Sequence, residues 1–188
     1  QMVIDSTLYT KQKQAWKTPT HTLNAYYDIK IDSLGKKLSF TGNYLSNKPD
    51  KVNDFATINK VASNEDVVRN NSKMNYRIYS GQADLTLPFK WASMESGAKY
   101  TLLDNSSNVG YYNLFGTNYI INHDNSNLFN YKEHNYAAYI SLQKDFNEKW
   151  SAKAGLRYEY TSLKGQTPGN QDSKVTDDYG KLFPTAYI

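Results

Sequence analysis

The sequence predicts an all-β fold, an antiparallel up-and-down meander of about seven strands. Its clearest strand is Trp150–Ser162, in which apolar and polar residues alternate from Ser151 onwards. Successive side chains on a strand point to opposite faces of the sheet, so this strand has one apolar and one charged face. A second observation is that short and long connections between the predicted strands alternate along the chain. By length alone, Trp150–Ser162 suits both a bilayer-spanning strand of about 9–11 residues and a long strand of a soluble sandwich.

The composition excludes several classes of protein. Only 39% of the 188 residues are hydrophobic and the mean hydropathy is -0.75. No apolar run approaches the ~20 residues of a membrane helix. A helical membrane protein is therefore excluded, whereas a transmembrane β-barrel is not, since half of each of its strands faces a wet lumen. The 17 tyrosines favour strands and suit membrane interfaces.

Charge and cysteine content point to neither nucleic-acid binding nor thiol chemistry. The net charge of +4 is small and dispersed, so no nucleic-acid partner is predicted. The chain has no cysteine, so it has no disulfide frame. The first residues lack the basic start and apolar core of a signal peptide. We expect the chain to be part of a longer protein, with residues 1–22 continuing from an upstream segment and residues 23–188 forming a partial barrel domain.

The first predicted unit is a β-hairpin. Leu23–Asp32 alternates between apolar and polar residues, and Lys37–Ser46 alternates again. Between them lies the tight turn Ser33–Lys36, in which Gly35 can adopt a positive φ angle. The long polar stretch Asn47–Met74 is predicted as a loop, with a short helical turn around Val61–Val68.

The second unit is another pair of strands around a short connection. Asn75–Leu87 is predicted as a strand that Pro88 ends, because proline has no N–H to donate to the ladder. The connection Phe89–Glu95 leads to the strand Ser96–Asp104. A second long loop is predicted from Asn105 to about Lys132.

The last part of the chain repeats this order. Glu133–Phe146 is predicted as a strand, Asn147–Lys149 as a short turn, and Trp150–Ser162 as the next strand. A third polar connection is predicted over Lys164–Asp178. The final strand, Tyr179–Ile188, is predicted to be interrupted early by Pro184.

The strict alternation of short and long connections favours a membrane barrel over a soluble sheet. In outer-membrane barrels the periplasmic turns are short and the extracellular loops are long. Loops of more than 20 residues are also uncommon in compact soluble domains. Aromatic residues flank two of the short turns, where a girdle at the periplasmic interface is expected: Phe89, Trp91, Phe146 and Trp150.

The sequence also resembles a known family, on the following residues. HNYAAYISLQKDFNEKWSAKAGLRYEYT, a polar loop and then YGKLFPTAYI is similar to the C-terminal barrel of outer-membrane β-barrel proteins related to TonB-dependent receptors. The matching pieces are Ala137–Tyr139, Gly155–Glu159 and Leu182–Pro184, and HTLNAYYDIKIDSLGKKLSFTGNYL resembles a barrel hairpin of the same family. The resemblance implies a nutrient receptor or transporter in the outer membrane. No plug domain, TonB box or closing strand is recognisable, so TonB dependence is left open.

Candidate functional residues follow from this topology. Lys153, Arg157 and Glu159 would share the lumen face, where they either line a solute path or neutralise each other. Tyr111, Tyr112 and Phe115 lie in a predicted loop and are candidates for ligand capture. In the alternative of a soluble all-β binding module, these three rings could stack on sugars or contact a protein partner.

We expect no catalysis, no metal and no cofactor. The histidines His21, His123 and His134 are scattered, and no nucleophile, phosphate-loop or metal-ligand motif is present. The expected partners are outer-membrane lipid, an unidentified nutrient and, through regions outside this chain, TonB. About seven strands cannot close a barrel alone, because single-chain barrels start at eight. The free edges are expected at Leu23–Asp32 and Tyr179–Ile188.

Overall fold

The computed structural model describes residues 7–61 and 64–188. Within them, nine strands form one antiparallel sheet, and the only other regular element is a short 3₁₀ turn at Gln171–Ser173. The strands are β1 (Leu8–Lys17), β2 (Thr20–Lys30), β3 (Lys37–Asn47), β4 (Asp50–Asn59), β5 (Asn64–Pro88), β6 (Ser93–Phe115), β7 (Asn118–Asn147), β8 (Trp150–Gln166) and β9 (Val175–Tyr187).

The nine strands correspond to seven long strands across the sheet, because a proline interrupts each of the first two long strands. β5 pairs with β3 along its C-terminal part and with β4 along its N-terminal part, while β2 pairs with β3 and β1 with β4. The divisions lie at Pro19 and Pro49, whose carbonyl oxygens accept hydrogen bonds from Lys48 N and Met74 N, each at 3.0 Å. Proline donates no hydrogen bond, so each of these two long strands is interrupted at its proline and continues after it. The all-β meander that the sequence predicts is confirmed.

Two of the three predicted loops are largely strands and the third is shorter than predicted, so those predictions were wrong. Asn47–Met74 forms β4 and the start of β5, and residues 64–68 are strand rather than helix; Ala62 and Ser63 lie outside the described residues. Asn105–Lys132 forms the upper parts of β6 and β7, joined by a turn at Gly116. β8 continues to Gln166, which shortens the third connection. These segments do not alternate regularly in polarity, so the sequence pattern predicts loops there.

The short turns are where the sequence predicts them. Gly35 has a φ of 97°, and Asp32 Oδ1 accepts hydrogen bonds from Leu34 N and Lys36 N at 2.9 and 3.0 Å. β5 ends at Pro88, and the side chain of Asn147 caps the turn into β8 by accepting from Trp150 N at 3.0 Å. We call the part of the sheet next to these turns the lower half.

The sheet is open, and its free edges are β1/β2 on one side and β9 on the other, as expected. The predicted interruption at Pro184 was wrong, because β9 continues through it to Tyr187. The fixed φ angle of proline lies within the β region, so Pro184 removes one possible donor without ending the pairing of β9 with β8. Residues 8–17, in the predicted N-terminal segment, form β1 of the same sheet.

In the lower half, the apolar face is the exposed one. Leu156 and Tyr158 are 46% and 47% exposed, whereas Ala137 and Thr161 on the opposite face are 5% and 4% exposed. We call the apolar side the outer face and the polar side the inner face. A soluble protein has the reverse arrangement, since it buries its apolar side chains away from water. The lower half ends at an outer-face row of polar residues, and this row belongs to the upper half: Arg77, Asp104, Lys132 and Lys164.

Candidate functional site

The inner face of the lower half carries a hydrogen-bonded network centred on Tyr139. Its hydroxyl donates to Asp84, and Gln82 Nε2 donates to the Tyr139 hydroxyl at 3.0 Å and to Asp84 Oδ2 at 2.8 Å. The ring of Tyr139 crosses over Gly97, where an added Cβ would lie 2.5 Å from the hydroxyl oxygen. The absence of a side chain at Gly97 therefore lets Tyr139 reach across β6 to β5.

Arg157 extends this network along β8. Its guanidinium lies 5.3 Å from the centre of the Tyr139 ring, and its Nε donates to Glu159 Oε1 at 2.5 Å. Asn135 Nδ2 donates to Glu159 at 3.4 Å and to the Thr161 hydroxyl at 2.9 Å. Glu159 thus accepts from a cation and from an amide, both of which stabilise its charged form.

Lys153 lies nearer the short turns and pairs with a different acid. Its Nζ is 2.8 Å from Glu95 Oε2, and the hydroxyl of Ser141 donates to the same carboxylate at 3.4 Å. The three predicted lumen residues therefore all lie on the inner face, and each has an ion-pair partner. Arg157 and Glu159 are brought together, whereas Lys153 belongs to a separate pair.

Sequence reasoning missed half of this network. The sequence predicts Asp84 and Gln82 only as strand positions, Glu95 as the end of the connection Phe89–Glu95, and Tyr139 only as part of the family motif Ala137–Tyr139. Their place is fixed by register: Tyr139 is the cross-strand partner of both Gly97 and Arg157, and Gly97 is the partner of Asp84. The alternation signal was present in each strand, but the register that aligns the strands could not be obtained from one sequence.

The aromatic candidates for ligand capture lie on β6, in the upper half, and not in a loop. Tyr111 and Phe115 share one face of the strand, and Tyr112 points to the other. The ring of Tyr112 covers Gly110, where an added Cβ would lie 2.9 Å from a ring carbon. Phe115, beside the β6–β7 turn, is 61% exposed. The three rings therefore do not form one platform; at most Tyr111 and Phe115 act together.

The upper half has its own charged cluster, at the pairing of β4 with β5. Arg69 donates from Nε and Nη2 to the two oxygens of Asp54 at 2.6 and 3.0 Å, and its guanidinium lies 4.0 Å from the centre of the Tyr119 ring. The hydrogen bond from Arg69 is the main cause that holds the pKa of Asp54 below its usual value. This bidentate pair is the strongest geometry available to an arginine and a carboxylate.

Neither metal ligands nor a membrane helix is found in the part of the chain that the structure describes. No three acidic, histidine or cysteine side chains come together there. His134 instead lies 2.8 Å, through Nδ1, from the hydroxyl of Tyr100 on the outer face. No helix within residues 7–61 and 64–188 is long and apolar enough to cross a membrane.

Comparisons with known proteins come from a family model and from solved structures. The family model described as the outer membrane protein beta-barrel family matches residues 29–188. No curated protein matches the chain. The sheet is similar to the ferric citrate transporter FecA in its unliganded form, at 12% identity and a TM-score of 0.39, over 79% of this chain and 23% of that one. It is also similar to the ferric yersiniabactin uptake receptor FyuA from Yersinia pestis, at 12% identity and a TM-score of 0.37, over 96% of this chain and 34% of that one.

The chain thus spans about a third or less of the length of these two structures. The family match, by contrast, extends from within β2 to the last residue. It agrees with the exposed apolar outer face and the paired charges of the inner face. The chain belongs to the outer membrane protein beta-barrel family, and its sheet is a section of a barrel wall in the outer membrane.

Proposed function

We propose that this section of wall belongs to an outer-membrane receptor that imports a nutrient, and that it works by binding and conduction rather than catalysis. The observation that carries the proposal is the inner face of the lower half. At the depth where the outer face is apolar, the inner face presents Asp84, Arg157, Glu159, Glu95 and Lys153. A barrel interior of this chemistry gives a hydrophilic solute a polar route past the lipid.

The ion pairs of this face suit a solute path because they are accessible to water. The side chains of Arg157 and Glu159 are 34% and 29% exposed, and those of Lys153 and Glu95 are 37% and 53% exposed. Pairs at such exposure contribute only about 0–1 kcal/mol. A polar or charged solute can therefore exchange for one partner at low cost, which favours passage over tight binding.

The upper half suits ligand capture at the mouth of the path. β5, β6 and β7 continue well above the apolar band as paired strands, so the entrance is framed by ladder hydrogen bonds. Tyr111 and Phe115 lie on one face of this extension and offer rings on which a ligand can stack. Coupling to TonB belongs to the same proposal, and it would act through parts of the protein outside this chain.

A soluble binding module, the alternative from the sequence, is not favoured. It would need its large apolar outer face to be covered by protein, and within the described residues that face has no second layer against it. The family assignment also places the chain in the outer membrane.

The test is nutrient uptake by cells that make the full-length protein. A deletion strain supplied with a panel of labelled nutrients is expected to lose uptake of at least one, and the wild-type gene to restore it. The double variant Arg157→Gln and Glu159→Gln should restore uptake only partly. The matched control, Lys11→Gln with Glu65→Gln, also removes one charge of each sign, but from the upper half, and should restore it fully. Loss of this uptake in a strain without TonB would establish that import depends on TonB.

Unchanged uptake of every nutrient in the deletion strain would overturn the proposal. Full restoration by the Arg157 and Glu159 double variant would instead show that import does not use this inner face.

A further inference from the structure

Two lysines face each other at the upper border of the apolar band, on the lipid side of the sheet. Lys132 on β7 and Lys164 on β8 are directly opposed partners in the ladder, and both are exposed on the outer face. Like charges placed directly opposite each other on a sheet are destabilising. Neither lysine forms an ion pair with a carboxylate in the described ranges. The pair is therefore a cationic site in which no carboxylate of the described residues holds either ammonium group.

The neighbouring acids do not neutralise this pair. Asp104, the partner of Lys132 on β6, is engaged by Arg77 at 2.9 Å. Asp178 lies one row below Lys164 on β9, opposite Ser162. Both lysines line a cavity of about 620 Å³, which Asp104 also lines, and the side-chain amides of Asn130 and Gln166, one row above, add hydrogen-bond donors around it. These are the groups that a phosphate prefers.

The height of the pair corresponds to lipid headgroups. Two rows below it on the outer face runs a line of tyrosine rings, Tyr100, Tyr136 and Tyr160, with centroids 5.0 and 6.3 Å apart. Tyrosine is enriched at the membrane–water interface, where its ring meets lipid and its hydroxyl meets water. Lysines just beyond such a line lie at the level of the headgroup phosphates.

Beneath the lysines, the outer face forms an apolar groove of about 710 Å³. Aromatic rings border it, and residues with little or no side chain form its floor: Gly42, Gly81, Ala83, Ala98 and Ala138. A Cβ added at Gly81 would meet no atom within 4 Å, so the floor is open to an occupant. The groove and the lysines share one face and adjacent strands.

We propose that Lys132 and Lys164 bind the phosphate of an outer-leaflet lipid whose acyl chain lies in this groove. The anionic phosphate between the two ammonium groups supplies their counter-charge and relieves their repulsion. The apolar groove below argues for a lipid rather than a free phosphate, because an inorganic ion would leave the groove unused.

The experiment measures lipid that remains bound to the full-length protein purified from outer membranes, by native mass spectrometry and phosphorus analysis. Lys132→Gln with Lys164→Gln is expected to weaken retention of a phosphate-bearing lipid about 30-fold, from about fivefold for each lysine near an anionic surface. The control Lys11→Gln with Lys17→Gln removes the same charge from β1 and should retain the lipid. Gly81→Leu fills the groove without changing charge and should also release the lipid.

Three outcomes would overturn the proposal. The first is equal lipid retention in the wild type and in the Lys132 and Lys164 double variant. The second is retention that is unaffected by Gly81→Leu. The third is binding of inorganic phosphate by the lysine pair with no lipid retained, since that would make it a site for the free ion. Folding of each variant is checked by heat-modifiable migration in gels, which reports an intact barrel independently of lipid.

Discussion

The same three strands, β5, β6 and β7, pass through two regions of different character. In the lower half of β7, residues Tyr136, Ala138 and Ile140 face outwards between polar or small inward residues. In its upper half, the run 122–130 is polar on both sides, apart from Leu128 and Phe129. In an outer-membrane barrel wall, an alternating segment suits lipid on one face, whereas a segment that is polar on both faces suits water on both. Alternation is therefore a signature of the surroundings of a strand, and not of the strand itself.

The two halves also differ in how completely their polar groups are satisfied. Among the described residues, buried side-chain atoms without a hydrogen-bond partner occur at Asn70, Asn71, Asn75, Arg77 and Asn105. All of them lie in the upper half. In the lower half the inner-face groups are linked around Tyr139 and Glu159. We infer that the upper half is held chiefly by its backbone ladder and opens at lower free energy.

The largest expected effect is on stability, and it comes from a charge at one apolar position of the lower half. Leu156→Arg places a charge on the outer face of the lower half and should destabilise the folded protein by about 2–4 kcal/mol if it lies at mid-bilayer. Leu128→Arg makes the same change on an exposed leucine of the upper half and should cost less than about 0.5 kcal/mol. Urea titrations of the full-length protein in vesicles measure both. Equal costs would show that the two halves share one environment.

A smaller effect is expected from Gly97→Ala on the inner face. The new methyl group would lie 2.5 Å from the Tyr139 hydroxyl and 2.7 Å from the backbone oxygen of Ala83, so a side-chain rotation alone cannot relieve it. We expect the free energy of unfolding to fall by about 1–3 kcal/mol and the hydrogen bond from Tyr139 to Asp84 to break. Gly81→Ala, on the neighbouring strand, meets open space and should be neutral or stabilising by about 0.4–1 kcal/mol. The same titration compares them, and a neutral Gly97→Ala would refute the crossing of Tyr139 over β6.

The ion pair of Asp54 and Arg69 in the upper half should contribute still less to the free energy of unfolding. Asp54→Asn is expected to cost about 0.2–1 kcal/mol, since the pair is partly exposed. The folded-state pKa of Asp54 lies below its ordinary 3.8, chiefly because Arg69 donates to it. Its contribution is therefore full above that ordinary pKa and is lost as the pH falls through the lowered value. Hydrogen exchange of β4 and β5 as a function of pH measures this, and loss of protection near neutral pH would contradict it.

Epitope tags should have the smallest effect on stability. They report which turns of the sheet are exposed on the cell surface. A tag inserted after Gly116, at the β6–β7 turn, should be detected by antibody on intact cells, because long hairpins of such barrels are extracellular. A tag at Glu148, in the short β7–β8 turn, should be detected only after the outer membrane is permeabilised. Equal exposure of the two tags would overturn the orientation on which the headgroup site rests.

The sequence by itself determined the lower half. Its alternation defined the strands and their faces, Gly35, Pro88 and Asn147 marked the turns, and the GLRYE and LFP segments identified the family. These features are local: each depends on a residue's own backbone preferences or on which solvent its side chain meets.

Only the tertiary structure decided which residues are cross-strand neighbours. It paired Lys153 with Glu95, set Tyr139 over Gly97 against Asp84, and placed Lys132 opposite Lys164. It also showed that Pro19 and Pro49 each interrupt one long strand, and that the first two long polar stretches are largely strands. These facts depend on the register between paired strands, which turn geometry and the apolar face set together as the sheet assembles, so the pattern of any single strand does not give it.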